Sequence, residues 1–567
     1  MAIPILSVAD VRSIEVEADT SGISYAEMMR RAGRAIATRL VTLLSESGAP
    51  ASDWRVTFLI GPGSNGGDGL VAGHLLAAET SALVRFYLLK PRTEDDPLLQ
   101  PVRAAGLPIA IASDDQRFRV LSQMVSTSLI VVDSLFGIGA RLPLGDDARR
   151  LLSAASAAMQ KELEVPSPYL FADQPPTRHF RPHVLAIDCP SGADCDTGAL
   201  DEAALPANET LTMIAVKPGL LTFPVAAATG RLASADLGLS SRATAFRKAD
   251  HFLMTAEDAD RLLPRRSPDS HKGTFGHILI VGGSANYPGA PALSARAAYR
   301  MGAGLVTVAT PAPVVEWLAG SLPESTWVHL PHDLGAVTAD GADLIHDQAF
   351  RCSVMVLGMG LGRENATREL LANLFGADER NARKPIGFSA QHLTAVSHRL
   401  TWPPLVLDAD GLSLLSTLED WPALLPPDSI LTPHPGEMAR LCGLSAQEVV
   451  SQRWDLAREK AAEWNAVLVL KGAHTLIAAP DGQMRVLPFK TSALATAGTG
   501  DVLAGMIGTL RAQGLSAFDA ASVGAFLHGA AGVRAGKKLG NVRGVCASDV
   551  IAEIPGALNL VGVQELT

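Results

Sequence analysis

Short apolar runs recur along the whole chain, and almost every one ends in glycine, a carboxylate or both. In the first half the runs are Arg55-Val-Thr-Phe-Leu-Ile60, Ala82–Leu89, Leu129–Asp133 and His183–Asp188. In the second half they are His277–Val281, Ser353–Leu357, Pro404–Leu407 and Ala466–Leu470. Their length and β-branched content predict buried strands. Between them lie segments of helical spacing. Ser7 can cap a short helix through about Ala18. Ser24-x-x-Glu27 reads as a capping box opening a helix to about Leu44, with Met28, Ala32, Ala35, Ile36 and Leu40 near one face. An Ala-rich helix runs to about Arg300. Strand and helix in alternation predict an α/β protein with parallel sheets, which bind ligands at the C-terminal ends of their strands.

The alternation is interrupted once. From Ser240 to about Ser270 the periodicity weakens and charge rises, with Arg242, Arg247, Lys248 and Asp250 close together. A boundary near Arg242–Asp250 gives two domains, 1–241 and 242–567. A chain of 567 residues is long enough for two to four. The net charge of −10 and only 5% aromatic residues argue against a nucleic-acid or anionic-membrane surface. Five cysteines with no Cys-x-x-Cys predict reduced thiols and a cytoplasmic setting. Met1-Ala-Ile-Pro-Ile-Leu has no basic region typical of a signal peptide, and no apolar run is long enough to span a membrane.

The strand ends carry the candidate chemistry. The first run enters Gly61-Pro-Gly-Ser-Asn-Gly-Gly-Asp-Gly69, ahead of a helix expected from Leu70. Strand, Gly-rich turn and helix form a phosphate-binding opening, but the spacing is a poor fit to a dinucleotide fingerprint. Asn65 and Asp68 among the glycines suit a cation or a polar ligand edge, or else a turn held by Asx hydrogen bonds. Asp133 ends another strand before a Gly-containing loop, and Asp188 with Ser191 ends a third. Together they predict a polar pocket on one sheet edge.

The second half repeats the arrangement. Thr496-Ala-Gly-Thr-Gly-Asp501 leads into an apolar helix whose first amides have no intrahelical partner, which makes an anion site. A carboxylate there suits a base that takes the proton of an attacking hydroxyl; alone, it would equally be an N-cap. Taken singly, His434 reads as a loop histidine, Asp408 with Asp410 as a strand-end turn, and Lys471 as a solvated end. Together with Gly498, Thr499 and Gly500 they supply an anion hole, a base, a cation and carboxylates for a metal, the parts of phosphoryl transfer.

The loop 61–69, Asp133-x-Leu-Phe-Gly-x-Gly139 and Asp188-x-Pro-Ser-Gly192 resemble the NAD(P)H-hydrate epimerase family over about residues 1–240, including Val216-Lys-Pro-Gly-Leu220. The resemblance implies a Rossmann-like three-layer αβα domain with K+ held by Asn65, Asp133 and Ser191. It implies substrate contacts from Ser64, Asn65, Gly66, Gly67, Asp68, Gly137, Ile138, Gly139, Ala140, Arg141, Leu142, Pro143 and Asp188, with Asp188 as the acid–base residue. Ser64 stands where the family usually has Asn, and the Pro-rich region at about 155–182 is longer than the family norm.

The Gly-Thr-Gly-Asp501 motif is similar to the ribokinase superfamily, a second αβα fold. His271-Lys-Gly, Gly282-Gly-Ser, Gly360-Leu-Gly362 and His434-Pro-Gly-Glu437 narrow the resemblance to NAD(P)H-hydrate dehydratases over about 250–555. It implies adenine-nucleotide contacts from Lys471, Gly472, Ala473, His474, Thr475, Gly498, Thr499 and Gly500. Substrate contacts follow from Ala290, Gly360, Gly362, His434, Pro435, Gly436, Glu437 and Asp501, with Asp501 catalytic. Asp-Ala-Asp-Gly-Leu-Ser413 departs from the family, which commonly ends this motif in Asn. The fusion resembles bifunctional repair enzymes that use ADP and Mg2+ and yield AMP and phosphate. Its partners would be the hydrates of NADH and NADPH and ADP, with no nucleic acid or membrane, in a homo-oligomer. The alternative is a vitamin or sugar kinase of the same superfamily fused to an epimerase-like binding domain.

Overall fold

The computed structural model describes residues 3–160, 182–239, 243–377 and 402–561. The Pro-rich stretch Val165–Pro176 and Arg242, the expected start of the second domain, lie outside the described residues. The chain divides into two compact units, Ile3–Ala249 and Asp250 onward.

In the first unit seven strands form one sheet. They are β1 (Arg55–Ile60), β2 (Leu83–Leu88), β3 (Ile109–Ile111), β4 (Ile130–Ser134), β5 (His183–Ile187), β6 (Glu209–Met213) and β7 (Arg231–Ala235). Their order is β3-β2-β1-β4-β5-β6-β7 and every pairing is parallel. The chain reverses direction across the sheet between β1 and β4, which opens a crevice at their C-terminal ends. Alternate residues feed opposite cores. Val56, Phe58 and Ile60 pack with α1 (Val8–Thr20), α2 (Tyr25–Glu46) and α3 (Ser64–Glu79). Leu59, Tyr87 and Val131 pack on the other face with α4 (Arg119–Ser126) and α5 (Asp146–Gln160). This is a three-layer αβα unit.

Two local expectations change. The helix expected from Leu70 starts at Ser64, because Gly66 lets its first turn lie on the end of β1. A Cβ on Gly66 would fall 2.1 Å from the Gly61 carbonyl oxygen. The capping box at Ser24 is half made: Ser24 accepts from the Glu27 amide, while the Glu27 carboxylate turns to Arg30 and Arg31.

In the second unit the strands are β8 (His251–Leu253), β9 (His277–Val281), β10 (Leu305–Pro311), β11 (Thr326–Leu330), β12 (Val354–Leu357), β13 (Leu405–Leu407), β14 (Ile430–Leu431), β15 (Val467–Leu470), β16 (Leu476–Ala478) and β17 (Met484–Val486). They follow the order β8-β17-β16-β15-β14-β13-β12-β9-β10-β11. Pairing is parallel from β15 through β11, and β15-β16-β17 is antiparallel. One core holds α6 (Gly289–Arg300), α7 (Thr499–Ala512), α8 (Ala517–Leu539) and α9 (Ala547–Leu558). Every residue of α7 from Val502 to Leu510 is buried, as an all-round apolar helix requires. No helix among the described residues is long and apolar enough to cross a membrane.

All five cysteines are free; Cys189 and Cys195 are buried, Cys352 and Cys442 half-buried, Cys546 exposed. A hydrogen bond with Cys195, and then burial, push the Cys189 thiol well above the ordinary range. Burial raises Cys352 and Cys442 to about 11.

Candidate functional sites

In the first unit the loops after β1, β4 and β5 are knit together. Gly61 donates to the Ser134 carbonyl at 3.1 Å, and a Cβ on Gly61 would sit 1.7 Å from the Leu135 carbonyl oxygen. Only glycine allows that approach. The Ser134 hydroxyl donates to the Asn65 carbonyl, which ties α3 to β4. Asp133 is fully buried and accepts from the Leu135 amide (3.3 Å), the Ser191 amide (2.8 Å) and the Ser191 hydroxyl (2.6 Å). Burial pushes its carboxyl up, and these bonds oppose that. The Asn65 side chain is buried, with neither amide atom hydrogen-bonded.

Asp188 follows β5 at a φ of +66°, unusual for a residue with a Cβ, and it is held by many donors. Ile138 donates to Oδ2 at 3.3 Å, and Met213 to Oδ1 at 3.2 Å. The Lys217 ammonium lies 2.5 Å from Oδ1. Burial disfavours the Asp188 charge, but Lys217 and these bonds outweigh it and hold the carboxyl below its ordinary range. A cavity of about 450 Å3 opens here, lined by Ser64, Asn65, Asp68, Gly137, Ile138, Gly139, Ala140 and Asp188, with Arg12 and Glu15 from α1. Gly66 and Gly67 are buried in α3 and do not line it; Arg141, Leu142 and Pro143 lead away, Leu142 toward the core on the other face. Asp133 and Ser191 lie buried, outside the lining. A larger cavity of about 580 Å3 lies at the other ends of the strands, beside Leu129, His183 and Asn208.

In the second unit Lys471 is the hub. It follows β15, and its ammonium is 2.7 Å from Asp408 Oδ1 and 3.6 Å from Glu437 Oε2. Burial disfavours this ammonium, yet Asp408 and Glu437 prevail and raise its pKa. Burial, helped by the charge of Asp408, raises Glu437 despite Lys471. His434 caps the helix Pro435–Cys442. Its Nδ1 accepts from the Gly436 amide at 2.9 Å, and Glu437 returns the bond to the His434 amide at 2.7 Å. Burial and Lys471 lower the His434 pKa, so the ring is a neutral cap at pH 7. Asp410 binds Arg363 at 2.8 Å and accepts from the Gly362 amide at 3.1 Å. Ala290 and Gly360 are close: a Cβ on Gly360 would be 2.9 Å from that of Ala290. Ser413 is buried and faces Arg440 at 3.4 Å.

The N-cap of α7 is Gly498, at φ +86°, so Asp501 stands in the first helical turn. Gly500 lies against the charged cluster. A Cβ there would be 3.4 Å from the Lys471 ammonium and 3.5 Å from Asp408 Oδ2. Burial, followed by the charge of Asp408, pushes Asp501 up to about 7 against the pull of Lys471. The Lys471–Thr475 loop is clamped from behind by Arg453, which donates to the Ala473 (2.7 Å) and His474 (3.1 Å) carbonyls. His474 itself is buried, bonded to the Leu487 carbonyl, with its pKa lowered to about 4 by burial.

The NAD(P)H-hydrate dehydratase family model matches residues 278–556, and that of the YjeF-related protein N-terminus matches 25–219. The bifunctional NAD(P)H-hydrate repair enzyme Nnr of Moorella thermoacetica is 34% identical over 510 residues, 89% of this chain and 87% of that protein. The chain belongs to the bifunctional NAD(P)H-hydrate repair family. The family's representative from Coxiella burnetii is also 34% identical, over 97% of this chain and 98% of its own. A crystal structure of an ADP/ATP-dependent NAD(P)H-hydrate dehydratase from Bacillus subtilis, co-crystallised with ATP and Mg2+, is 28% identical. It has a TM-score of 0.44 and covers 55% of this chain and 98% of that chain.

Three residues of this repair-family chain gained no role from sequence reasoning. Lys217 stands in the quoted Lys-Pro-Gly, and a lysine in a strongly apolar stretch was the available signal. Glu15 sits on the short helix capped by Ser7, for which no chemistry was expected. Arg453 is one of several charges on a polar helix, and nothing local distinguishes it.

Proposed function

We propose that the first unit interconverts the R and S epimers of hydrated NADH and NADPH, and that the second returns the S epimer to the reduced cofactor. Hydration places a hydroxyl on the nicotinamide ring. Hydroxide leaves poorly and phosphate leaves well, so phosphorylation by ADP, with release of AMP and then of phosphate, restores the double bond.

The observation that carries the reading is Asp501 with a pKa of about 7, beside Lys471 in the first turn of α7. A base poised near working pH takes the hydroxyl proton efficiently. The amides around Thr499 and Gly500 face the charge that develops on the transferred group. Lys471 orients the donor's phosphates, and neutral His434 with Glu437 fixes the loop against which the substrate rests. Mg2+ would add charge neutralisation on the phosphates. Among the described residues no group of three or more His, Cys, Asp or Glu side chains gathers as a metal cage. The oxygen donors Asp408 and Glu437 suit Mg2+ held jointly with phosphates.

In the first unit Asn65, Asp133 and Ser191 would hold K+, which fits an all-oxygen set that includes an orphaned buried amide. That ion would organise the loops around the pocket. Asp188, kept ionised by Lys217, moves a proton at the substrate hydroxyl. The same proposal includes a cytoplasmic setting and a homo-oligomer.

The test mixes both epimers with ADP or ATP and follows recovery of reduced-nicotinamide absorbance. Asp501→Asn should abolish recovery of both epimers; Asp188→Asn should slow only the epimer that the second unit cannot use. Equal loss of both epimers in the Asp188 variant would overturn the division of labour. A stable phosphorylated end product would replace the repair reading with that of a kinase.

A further inference from the structure

Three carboxyls, Glu15, Asp68 and Asp188, line the first unit's cavity, and the two aspartates stand in contrasting surroundings. Asp188 is gripped by backbone amides and by Lys217. The carboxyl of Asp68, at the start of the second turn of α3, has no hydrogen-bond or ion-pair partner among the described residues. Lys217 is completely buried, and its three ammonium protons are spent on Asp188 Oδ1 (2.5 Å), Thr212 Oγ1 (2.8 Å) and the Met213 carbonyl (3.0 Å). It does not line the cavity, so it acts on a substrate only through Asp188.

We propose that Asp68 is a second catalytic residue of this pocket, giving a proton to the ring nitrogen while Asp188 takes one from the hydroxyl. Lys217 is the positioning residue that decides which carboxyl begins as the base. The inference rests on the epimerase reading above. Hydration of an enamine puts the hydroxyl on the carbon bonded to nitrogen. Such a carbon inverts if the ring opens and recloses. Asp188 removes the hydroxyl proton, and the O–H electron pair becomes the second C–O bond of an aldehyde. The C–N bond breaks, its electrons return to nitrogen, and Asp68 protonates that nitrogen. Rotation about the adjacent C–C bond presents the other face. Nitrogen then attacks the aldehyde, returning its proton to Asp68, and Asp188 protonates the new alkoxide. Both carboxyls end as they began.

The electrostatics agree with this division. Lys217 holds Asp188 low against its burial, whereas burial, Asp188 and Glu15 push Asp68 well above the ordinary range. The charged and titratable groups facing the pair are Arg12 and Glu15 from α1, Tyr25 from α2, and Lys217 behind Asp188. Glu15 is itself raised by burial and by Asp188.

The test uses the full chain without nucleotide, so that only epimerisation runs, with the two hydrates separated by chromatography. Asp68→Asn should lower kcat on the order of 100-fold or more, change KM little, and remove the alkaline limb of the pH–rate profile. Asp68→Glu should restore part of the rate and the limb. Lys217→Met should move the acidic limb to higher pH. Urea melts of the same preparations followed by circular dichroism, with the first unit's transition at its wild-type midpoint, show that the first unit is folded. If Lys217→Met does not fold, the Asp68 variants decide alone. A wild-type chain that does not epimerise would remove the epimerase reading itself. A wild type that does epimerise, with Asp68→Asn within about threefold of it and both limbs intact, would overturn this inference while leaving that reading standing.

Discussion

Asp501→Asn should kill the dehydration and stabilise the unit that performs it. The carboxyl is raised from its ordinary range to about 7, chiefly by burial and by Asp408. The sign follows from linkage. Below about pH 4 the group is protonated both folded and unfolded, and contributes nothing. Between about pH 4 and 7 the unfolded chain ionises it and the folded one does not, so stability falls as pH rises. Above about 7 the loss is complete. At about 1.4 kcal/mol for each pH unit the full cost is about 4 kcal/mol. The carboxylate gains about 0.5 kcal/mol back from the start of α7, too little to reverse the sign. Asparagine keeps the shape without the charge. Its stability advantage should grow from about 1.5 kcal/mol at pH 5 to about 3.5 kcal/mol at pH 8. Six of the seven tryptophans follow Asp250, so urea unfolding watched by tryptophan fluorescence reports mainly on this unit. The same samples should lose recovery of absorbance by 100-fold or more, on the order expected for a missing base. A variant no more stable than wild type at pH 8, or an advantage independent of pH, would refute the reasoning.

Other perturbations test other parts. The dehydration rate of the wild type should rise about tenfold from pH 5 to pH 6 and level off above about 7, since Asp501 must be ionised; a flat profile there would point to another base. Lys471→Met strands two buried carboxylates and should cost the second unit about 3 kcal/mol in urea melts, with Asp408→Asn in the same chain recovering part of it. Gly61→Ala drives a methyl into the Leu135 carbonyl and should destabilise the first unit by about 3 kcal/mol without changing dehydration of the S epimer. Asn65→Ala should abolish any difference between K+ and Na+ buffers in epimerisation; a variant that still distinguishes them would remove Asn65 from the ion site.

The legible parts were those written locally. Apolar runs that end in glycine and acid marked the central parallel strands of both sheets and the polar loops that follow them, because a buried parallel strand must be apolar throughout and must then turn. The start of α3 was misplaced because glycine ordinarily argues against helix. Here close contact with Gly61 and Ser134 selects glycine, and the helix follows from packing. Asp501 could be read as a cap, but Gly498 at positive φ takes the cap and moves the acid one turn inward. Lys217 acquires its meaning only when β6 lies beside Asp188, a pairing that spans 29 residues of sequence. Arg453 likewise acts 20 residues away, through backbone carbonyls that leave no mark on side-chain chemistry.

The graded burial of the five thiols sets an order of chemical accessibility. A thiol raised to about 11 presents about one thiolate in 10,000 at pH 7, and Cys189, next to Asp188 in the sequence, is likewise held protonated. Alkylating reagents and peroxide therefore meet exposed Cys546 first, at the start of α9. The thiol next to Asp188 is thereby kept out of reach of oxidants in solution, since it is completely buried. The same gradient makes Cys546 a place to attach a single dye while the first unit's pocket stays untouched.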